Sequence, residues 1–362
     1  MSANSFGKLF KITTFGESHG FGVGVIIDGC PSGLEISQDY IQEKLNERRP
    51  GFNPYTTSRQ EEDKVQILSG IYQNKTLGTP IALLVQNKDQ RSEDYDNLAK
   101  VFRPSHADFV WHSKYEHVDP RGGGRSSARE TVGRVAASAV AYKILEKYEI
   151  KIQGFLHAIG GVAVDESKLE YDKLNYQEIS KSLLLCPDYS TSLLWENKLK
   201  QVLEKGDSLG AIIQIIVQNC PIGLGEPVFD KLNADLAKAI FSIPAVKGLE
   251  FGKGFELSSM FGSEGNDQMV SSKGKTKVDF VTNNNGGILG GISTGEDIMF
   301  KIAIKPTSSI KLPQQTVDSD LNKVKLEIKG RHDPCIGIRA VSVCKAMTAL
   351  VIADHILYKK AK

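Results

Sequence analysis

Apolar and charged positions alternate most clearly in Phe300-Lys-Ile-Ala-Ile-Lys305, as expected of a strand with one buried face. Apolar runs at 24–27, 81–85, 211–217 and 300–304 predict strands, and 211–217 is long enough to be a buried one. Helical spacing appears elsewhere. Ser37 is placed to cap a helix running to about Arg48, where Pro50-Gly51 would stop it. Ser127-Ala-Arg-Glu130 reads as a capping box, in which the serine accepts from the third helical amide and the glutamate reaches back. Behind it, Val132, Val135, Ala136, Ala139, Val140 and Ile144 keep one apolar stripe, predicting a helix to about Lys147. Val343, Met347, Leu350 and Val351 mark another near the C-terminus. Residues 162–206 are charged and weakly patterned, apart from a helix over 195–204. Residues 262–285 read as a long polar loop, either disordered or a lid over a site. Strands and helices do not alternate in a βαβ rhythm, so the pattern predicts an α+β fold. No repeat or Pro- or Ser-rich linker divides residues 1–362, which predicts a single domain.

Composition narrows the class. Of 362 residues, 40% are hydrophobic and 24% charged, which is ordinary for a globular protein. The 45 basic and 43 acidic residues leave a net charge of only +2, against a broad nucleic-acid surface. Residues 1–10 lack the apolar stretch of a signal peptide, and no continuous apolar run approaches the ~20 residues of a membrane span. Five dispersed cysteines, with no C-x-x-C pair, offer neither a zinc site nor a disulfide framework. The expectation is a soluble, cytoplasmic protein without a metal.

Candidate chemistry is concentrated in residues 103–134, which hold Arg103, Lys114, Arg121, Arg125, Arg129 and Arg134 together with His106, His112 and His117. At its centre Pro120-Arg-Gly-Gly-Gly-Arg-Ser-Ser127 leads into the capped helix. Glycines let backbone approach a ligand, a helix start offers unpaired N–H groups, and arginines grip anions bidentately. An anion site and a tight turn with surface arginines both fit the string. There is no G-x-G-x-x-G and no Walker A sequence. In Phe15-Gly-Glu-Ser-His-Gly20, His19 could face a cleft and exchange protons near neutral pH, or be a structural histidine in a glycine turn. Ser18 beside it lacks a nucleophile elbow, which argues against a hydrolase. Arg103-Pro-Ser-His-Ala-Asp108 repeats the histidine pattern with an arginine nearby. Lys305-Pro-Thr-Ser-Ser309 puts hydroxyls after a strand, where they suit phosphate oxygens or simply form a turn. Gly330-Arg-His-Asp-Pro-Cys335 is a compact charged triplet or a surface salt-bridge turn. The glycine pairs in 286–291 permit close packing against a flat ring or another strand. Arg48-Arg49 either complements a helix C-terminus or reaches a phosphate.

Taken together these segments resemble the chorismate synthase family. Gly16-Glu-Ser-His-Gly20, Arg48-Arg-Pro-Gly51, Arg103-Pro-Ser-His-Ala-Asp108, Arg121-Gly-Gly-Gly-Arg-Ser-Ser-Ala-Arg-Glu130, Ser242-Ile-Pro-Ala-Val-Lys-Gly248, residues 286–291, residues 305–309 and residues 330–335 follow that family's order. The resemblance implies helices sandwiched between antiparallel sheets, assembled as a homotetramer. It implies 1,4-anti elimination of phosphate from 5-enolpyruvylshikimate 3-phosphate to give chorismate, the final common step of the shikimate pathway. Reduced FMN is the implied flavin, FAD being of the same class, with NADPH as candidate reductant.

By the same resemblance His19 donates a proton to the departing phosphate, His106 sits near the flavin N1 edge, and Asp333 helps remove the C6 proton. Arg48, Arg103, Arg129 and Arg331 take substrate anions, with Arg331 also near the flavin and Arg48 also at NADP. Arg125, Ser126, Ser127, Pro244, Ala245, Gly290, Lys305, Pro306, Thr307, Ser308 and Ser309 form the flavin environment. Two departures stand out. Phe52-Asn53-Pro54 lacks an arginine that many members carry after Arg-Arg-Pro-Gly and that is linked to NADPH handling. Ser242-Ile-Pro-Ala has proline where asparagine is frequent. Two other readings are a flavin reductase and a non-catalytic binder of phosphorylated metabolites or nucleic acid.

Overall fold

Two five-stranded antiparallel sheets enclose a layer of helices. The computed structural model describes residues 3–49, 54–56, 61–88, 100–119, 123–271, 278–328 and 332–362. One sheet runs, in spatial order, Ser5–Phe6, Lys11–Phe15, Gly22–Asp28, Ile81–Gln86 and Val65–Ile67. The other runs Val246–Phe251, Ile298–Ile304, Ala211–Gln218, Lys151–Ile159 and Val162–Ala163. Every ladder in both is antiparallel, with Gly24 opposite Leu84 in the first and Gln214 opposite Lys301 in the second. In Ile298–Ile304 alternate residues are buried, so the pattern that predicts the strand also orients it.

Two long helices form the centre of the layer between the sheets. Thr131–Glu146 packs on strands of the first sheet, and Gly337–Ala361 packs on Lys151–Ile159 and Ala211–Gln218 of the second. They also pack on one another, so each is buried on nearly all sides. Ala137, Ala141 and Leu145 are thereby in the core, outside the single stripe that the spacing suggests. Contact is close enough that a Cβ on Gly133 would lie 2.9 Å from the Gly24 carbonyl oxygen. Among the described residues Gly337–Ala361 is the one helix long and apolar enough to cross a membrane, yet 83% of its most apolar window is buried inside the fold. It is a core helix.

Some local expectations change. Ser37 caps Gln38–Arg48 as expected, its side chain accepting from the Tyr40 amide. The Ser127 box does not close. Ser127 accepts from the Arg129 amide at the start of the 3-10 turn Ala128–Glu130, while the Glu130 carboxylate turns to Arg134 at 2.7 Å. A nearby guanidinium outcompetes a backbone amide for that carboxylate. Residues 262–285 are not one polar loop either. They include a helical turn, Gly262–Gly265, and a hairpin pairing Met269–Ser271 with Val278–Phe280, with 272–277 outside the described residues. Asp267 fastens this segment, accepting from the Asn284 and Asn285 amides at 2.7 and 3.0 Å.

Candidate active site

The helix starts and strand ends of this sandwich surround a cavity of about 960 Å³. Its described lining carries nine cationic side chains (Arg48, Arg103, Arg125, Arg129, Arg134, Arg339, Lys238, Lys247 and Lys305) against the carboxylates of Glu61, Glu130 and Asp333. A surplus of this size marks a site for a polyanion.

One wall is a buried guanidinium cluster. Arg48, at the end of Gln38–Arg48, is 3% exposed. Its Nε donates to Thr131 Oγ1 at 2.9 Å and its Nη2 to the Ala128 carbonyl at 2.8 Å. Asp63, wholly buried, bridges Arg48 Nη1 at 3.3 Å and Arg129 Nη1 in a short contact. Asp63 takes a φ of 46°, a backbone region that costs a non-glycine residue energy, and the two guanidiniums offset it. Arg129 also meets Glu61 at 3.0 Å and donates from Nε to Asn87 Oδ1 at 3.0 Å. Burial first, and then the neighbouring charge of Arg339, hold the Arg48 guanidinium well below its ordinary range, with Asp63 opposing them.

A second wall comes from residues 103–108 and the turn into helix Asp108–Tyr115. Asp108 accepts both Arg103 Nε at 2.7 Å and Arg103 Nη2 at 2.8 Å, and His106 Nδ1 lies 2.6 Å from it. Burial alone would raise the Asp108 carboxyl, but hydrogen bonds from Arg103 and His106 hold it well below the usual carboxylate range. The carboxylate fixes a proton on Nδ1, so the chemistry of His106 is left to Nε2. Gly123 lies close by, where a Cβ would stand 3.5 Å from His106 Cε1.

Bonded to this wall is the 305–309 turn. Lys305 Nζ donates to the Ser105 carbonyl and lies 3.1 Å from Ser308 Oγ, and Thr307 Oγ1 donates to the Asp333 carbonyl at 2.9 Å. Burial and then Lys247 push the Lys305 ammonium down. Asp333 itself is paired with Arg339 Nη1 at 3.0 Å, and Arg339 Nε donates to the Arg48 carbonyl at 3.3 Å. Arg125 spans to the first sheet, bonding Thr14 Oγ1 at 2.7 Å and the Gly16 carbonyl at 3.3 Å. Arg134 clamps Ser242 Oγ at 2.6 Å, holding the turn that brings Pro244 and Ala245 to the cavity.

Of the expected site residues, the cavity gathers Arg48, Arg103, His106, Arg125, Ser126, Ser127, Arg129, Pro244, Ala245, residues 305–309 and Asp333. His19 and Gly290 are not among its lining residues. His19 is buried in the turn behind Arg125, with Ser18 Oγ 3.1 Å from its Nδ1. Gly290 sits between the short strands Ile288–Leu289 and Ile292–Ser293. Arg331 lies outside the described residues. Asp63, Asn87, Asp108 and Arg339 organise the site without any assigned role in the motifs. Only the Asp108 side chain, two residues from His106, carried a local sequence signal.

A family model described as chorismate synthase matches residues 10–357. The chain belongs to the chorismate synthase family. Chorismate synthases of Prochlorococcus marinus strains AS9601 and MIT 9215 are each 50% identical to it over 361 residues, covering 99% of this chain and 98% of theirs. A solved structure titled "Crystal Structure of Chorismate Synthase" superposes with a TM-score of 0.78 at 31% identity, covering 98% of this chain and 93% of that one. The sandwich of helices between antiparallel sheets is the fold that the resemblance implies. As a chorismate synthase, the chain is a carbon–oxygen lyase of the shikimate pathway. It acts on the small molecule 5-enolpyruvylshikimate 3-phosphate, yields chorismate and phosphate, and uses a flavin.

Proposed function

We propose that the cavity binds reduced FMN and 5-enolpyruvylshikimate 3-phosphate together and carries out the 1,4-anti elimination with the residues around it. The observation that carries this reading is the cationic surplus of one cavity that also holds His106 and Asp333. About 960 Å³ lies near the upper end of the roughly 300–1,000 Å³ usual for ligand sites, so a flavin and a substrate fit together. The donor set suits the flavin: the Lys305 ammonium and the hydroxyls of Thr307, Ser308 and Ser309 match a phosphate, and Arg125, Ser126, Ser127, Pro244 and Ala245 border the same space. When bound, reduced FMN supplies electron density to the allylic system without net redox change.

The chain's own residues do the rest. Arg48, Arg103 and Arg129 bind the two carboxylates and the phosphate, a task for the planar guanidinium fork that lysine does not match. His19 gives a proton to the departing phosphate. His106, oriented by Asp108, would offer its Nε2 to the flavin. Asp333, braced by Arg339, takes part in removing the C6 hydrogen. NADPH is the reductant in this reading, although Arg48 is engaged with Asp63 and Ala128.

The chain acts as one domain, supported by one large apolar cluster from Phe10 to Ile356 with a small satellite at Phe155, Ile179 and Ile216. A homotetramer is proposed, for which Phe229, Phe255 and Phe261 offer exposed rings. A cytoplasmic location is supported by five cysteines that are all free and buried. The deciding experiment is anaerobic: enzyme with reduced FMN is expected to release phosphate and form chorismate over many turnovers. Substrate consumption only with stoichiometric flavin oxidation would instead identify a reductase, and binding without phosphate release a non-catalytic binder.

A further inference from the structure

One side chain outside the cavity touches both the His19 turn and Arg129. Asn87 follows directly on strand Ile81–Gln86, and its amide N–H donates to the Phe21 carbonyl at 3.1 Å, fixing its backbone beside the turn. Its Nδ2 donates to the Glu17 carbonyl at 3.0 Å and to the Gly20 carbonyl at 2.9 Å. These two carbonyls bracket Ser18 and His19. Its Oδ1 accepts from Arg129 Nε at 3.0 Å.

The chemistry fixes which way the amide points. Carbonyls only accept and a guanidinium only donates, so Nδ2 must face the turn and Oδ1 must face Arg129. Both donors and the acceptor are then used. Aspartate has no donors, leucine neither function, and glutamine is one methylene too long. A residue needed only to brace the turn would have no use for the acceptor, which here reaches a cation of the cavity wall.

We propose that Asn87 is a positioning residue that joins the His19 turn to Arg129, so that the proton donor and the substrate-gripping guanidinium keep one fixed separation. The proposal rests on the roles of His19 and Arg129 given above. Its logic is geometric: His19 lies behind the lining residues, so its approach to the departing phosphate is set by whatever ties its turn to the wall. An ångström of misplacement costs roughly a hundredfold in rate.

The test uses the full-length enzyme with reduced FMN and the variants Asn87→Asp, Asn87→Leu and His19→Ala. Asn87→Asp keeps the acceptor for Arg129 but turns a carboxylate toward the Glu17 and Gly20 carbonyls, releasing only the turn. It is expected to lower kcat roughly ten- to a hundredfold with substrate KM changed less than about threefold. Asn87→Leu releases both sides and is expected to raise KM as well. In the His19→Ala background, Asn87→Asp should lower kcat no further, because both act through one group. An equal drop in both backgrounds, or a rise in KM at unchanged kcat, would overturn the proposal. Wild-type turnover in His19→Ala alone is a different result, since it removes His19 from the reaction whatever Asn87 does. FMN affinity and the thermal midpoint are followed in each variant; should Asn87→Leu fail to fold, the near-isosteric Asn87→Asp decides.

Discussion

A guanidinium and an imidazole share one carboxylate at Asp108, and that sharing gives His106 its orientation. His106→Ala is therefore expected to lower turnover roughly 10²–10⁴-fold, the scale of lost acid–base catalysis, while reduced-FMN affinity is largely kept; steady-state rates beside a flavin titration check both. Asp108 also has a pH signature. Its carboxyl is held below its ordinary value of 3.8, so its contribution to stability is present above that value and lost as pH falls below it. Thermal midpoints of wild type and Asp108→Asn should accordingly converge in acid and separate towards neutrality. Arg129 is a different case, because its partners come from elsewhere in the chain: Asp63 is 66 residues away and Asn87 is 42. A charge-assisted contact contributes about 1.5–3 kcal/mol, so Arg129→Ala should raise substrate KM roughly ten- to a hundredfold and disturb flavin affinity far less. Equal losses for both ligands would show the guanidinium to be misassigned. Motif order in the sequence identifies Arg129 and His106. It is silent on Asp63, Asn87 and Arg339, because a charged or amide side chain in an ordinary loop, strand end or helix start gives no sign of which partner the fold will bring to it.

At the scale of elements, the sequence is most readable where one face is buried and least where every face is. The Ile298–Ile304 alternation and the Ser37 cap follow from local spacing, and the structure keeps both. The Thr131–Glu146 stripe reveals only half of its burial, since the second contact is the C-terminal helix some two hundred residues later. Gly133 records this crowding. Gly133→Val puts branched carbon where a lone Cβ already falls 2.9 Å from the Gly24 carbonyl oxygen. Backbone has to give way, and the expected loss is about 1–3 kcal/mol, read as a lower denaturant midpoint at unchanged slope. Within residues 162–206 the signal that matters is a cap: Asp188 accepts from the Thr191 amide at 2.8 Å and starts Tyr189–Lys205. Hydrogen bonds from Thr191 and Ser190 pull its carboxyl down to about 2. Asp188→Ala should cost about 1 kcal/mol near neutral pH, shrinking as pH falls from 3.8 toward 2, where the carboxylate protonates in the folded chain too.

Across the whole molecule the charges nearly cancel, at +2, yet nine cations and three carboxylates face one cavity. The remaining surface is correspondingly balanced by acidic groups, so the field an approaching anion feels is concentrated at the mouth of the site. Composition alone could not reveal this, because it counts charges without regard to which way they face. The consequence is kinetic. Screening shortens with salt, from about 10 Å at 0.1 M to about 3 Å at 1 M, which weakens attraction at the mouth more than contacts between desolvated partners inside. Between these limits kcat/KM for 5-enolpyruvylshikimate 3-phosphate should fall steeply while kcat, set after the anion is seated, stays nearly flat. Removing one lining cation that contacts neither the guanidinium cluster nor His106, as in Lys238→Ala, should reduce the slope of that fall and leave kcat alone. The measurement is a series of initial rates across ionic strength with reduced flavin saturating. A kcat/KM that ignores salt would mean the cations are neutralised before substrate arrives, and the cavity would then owe its selectivity to shape.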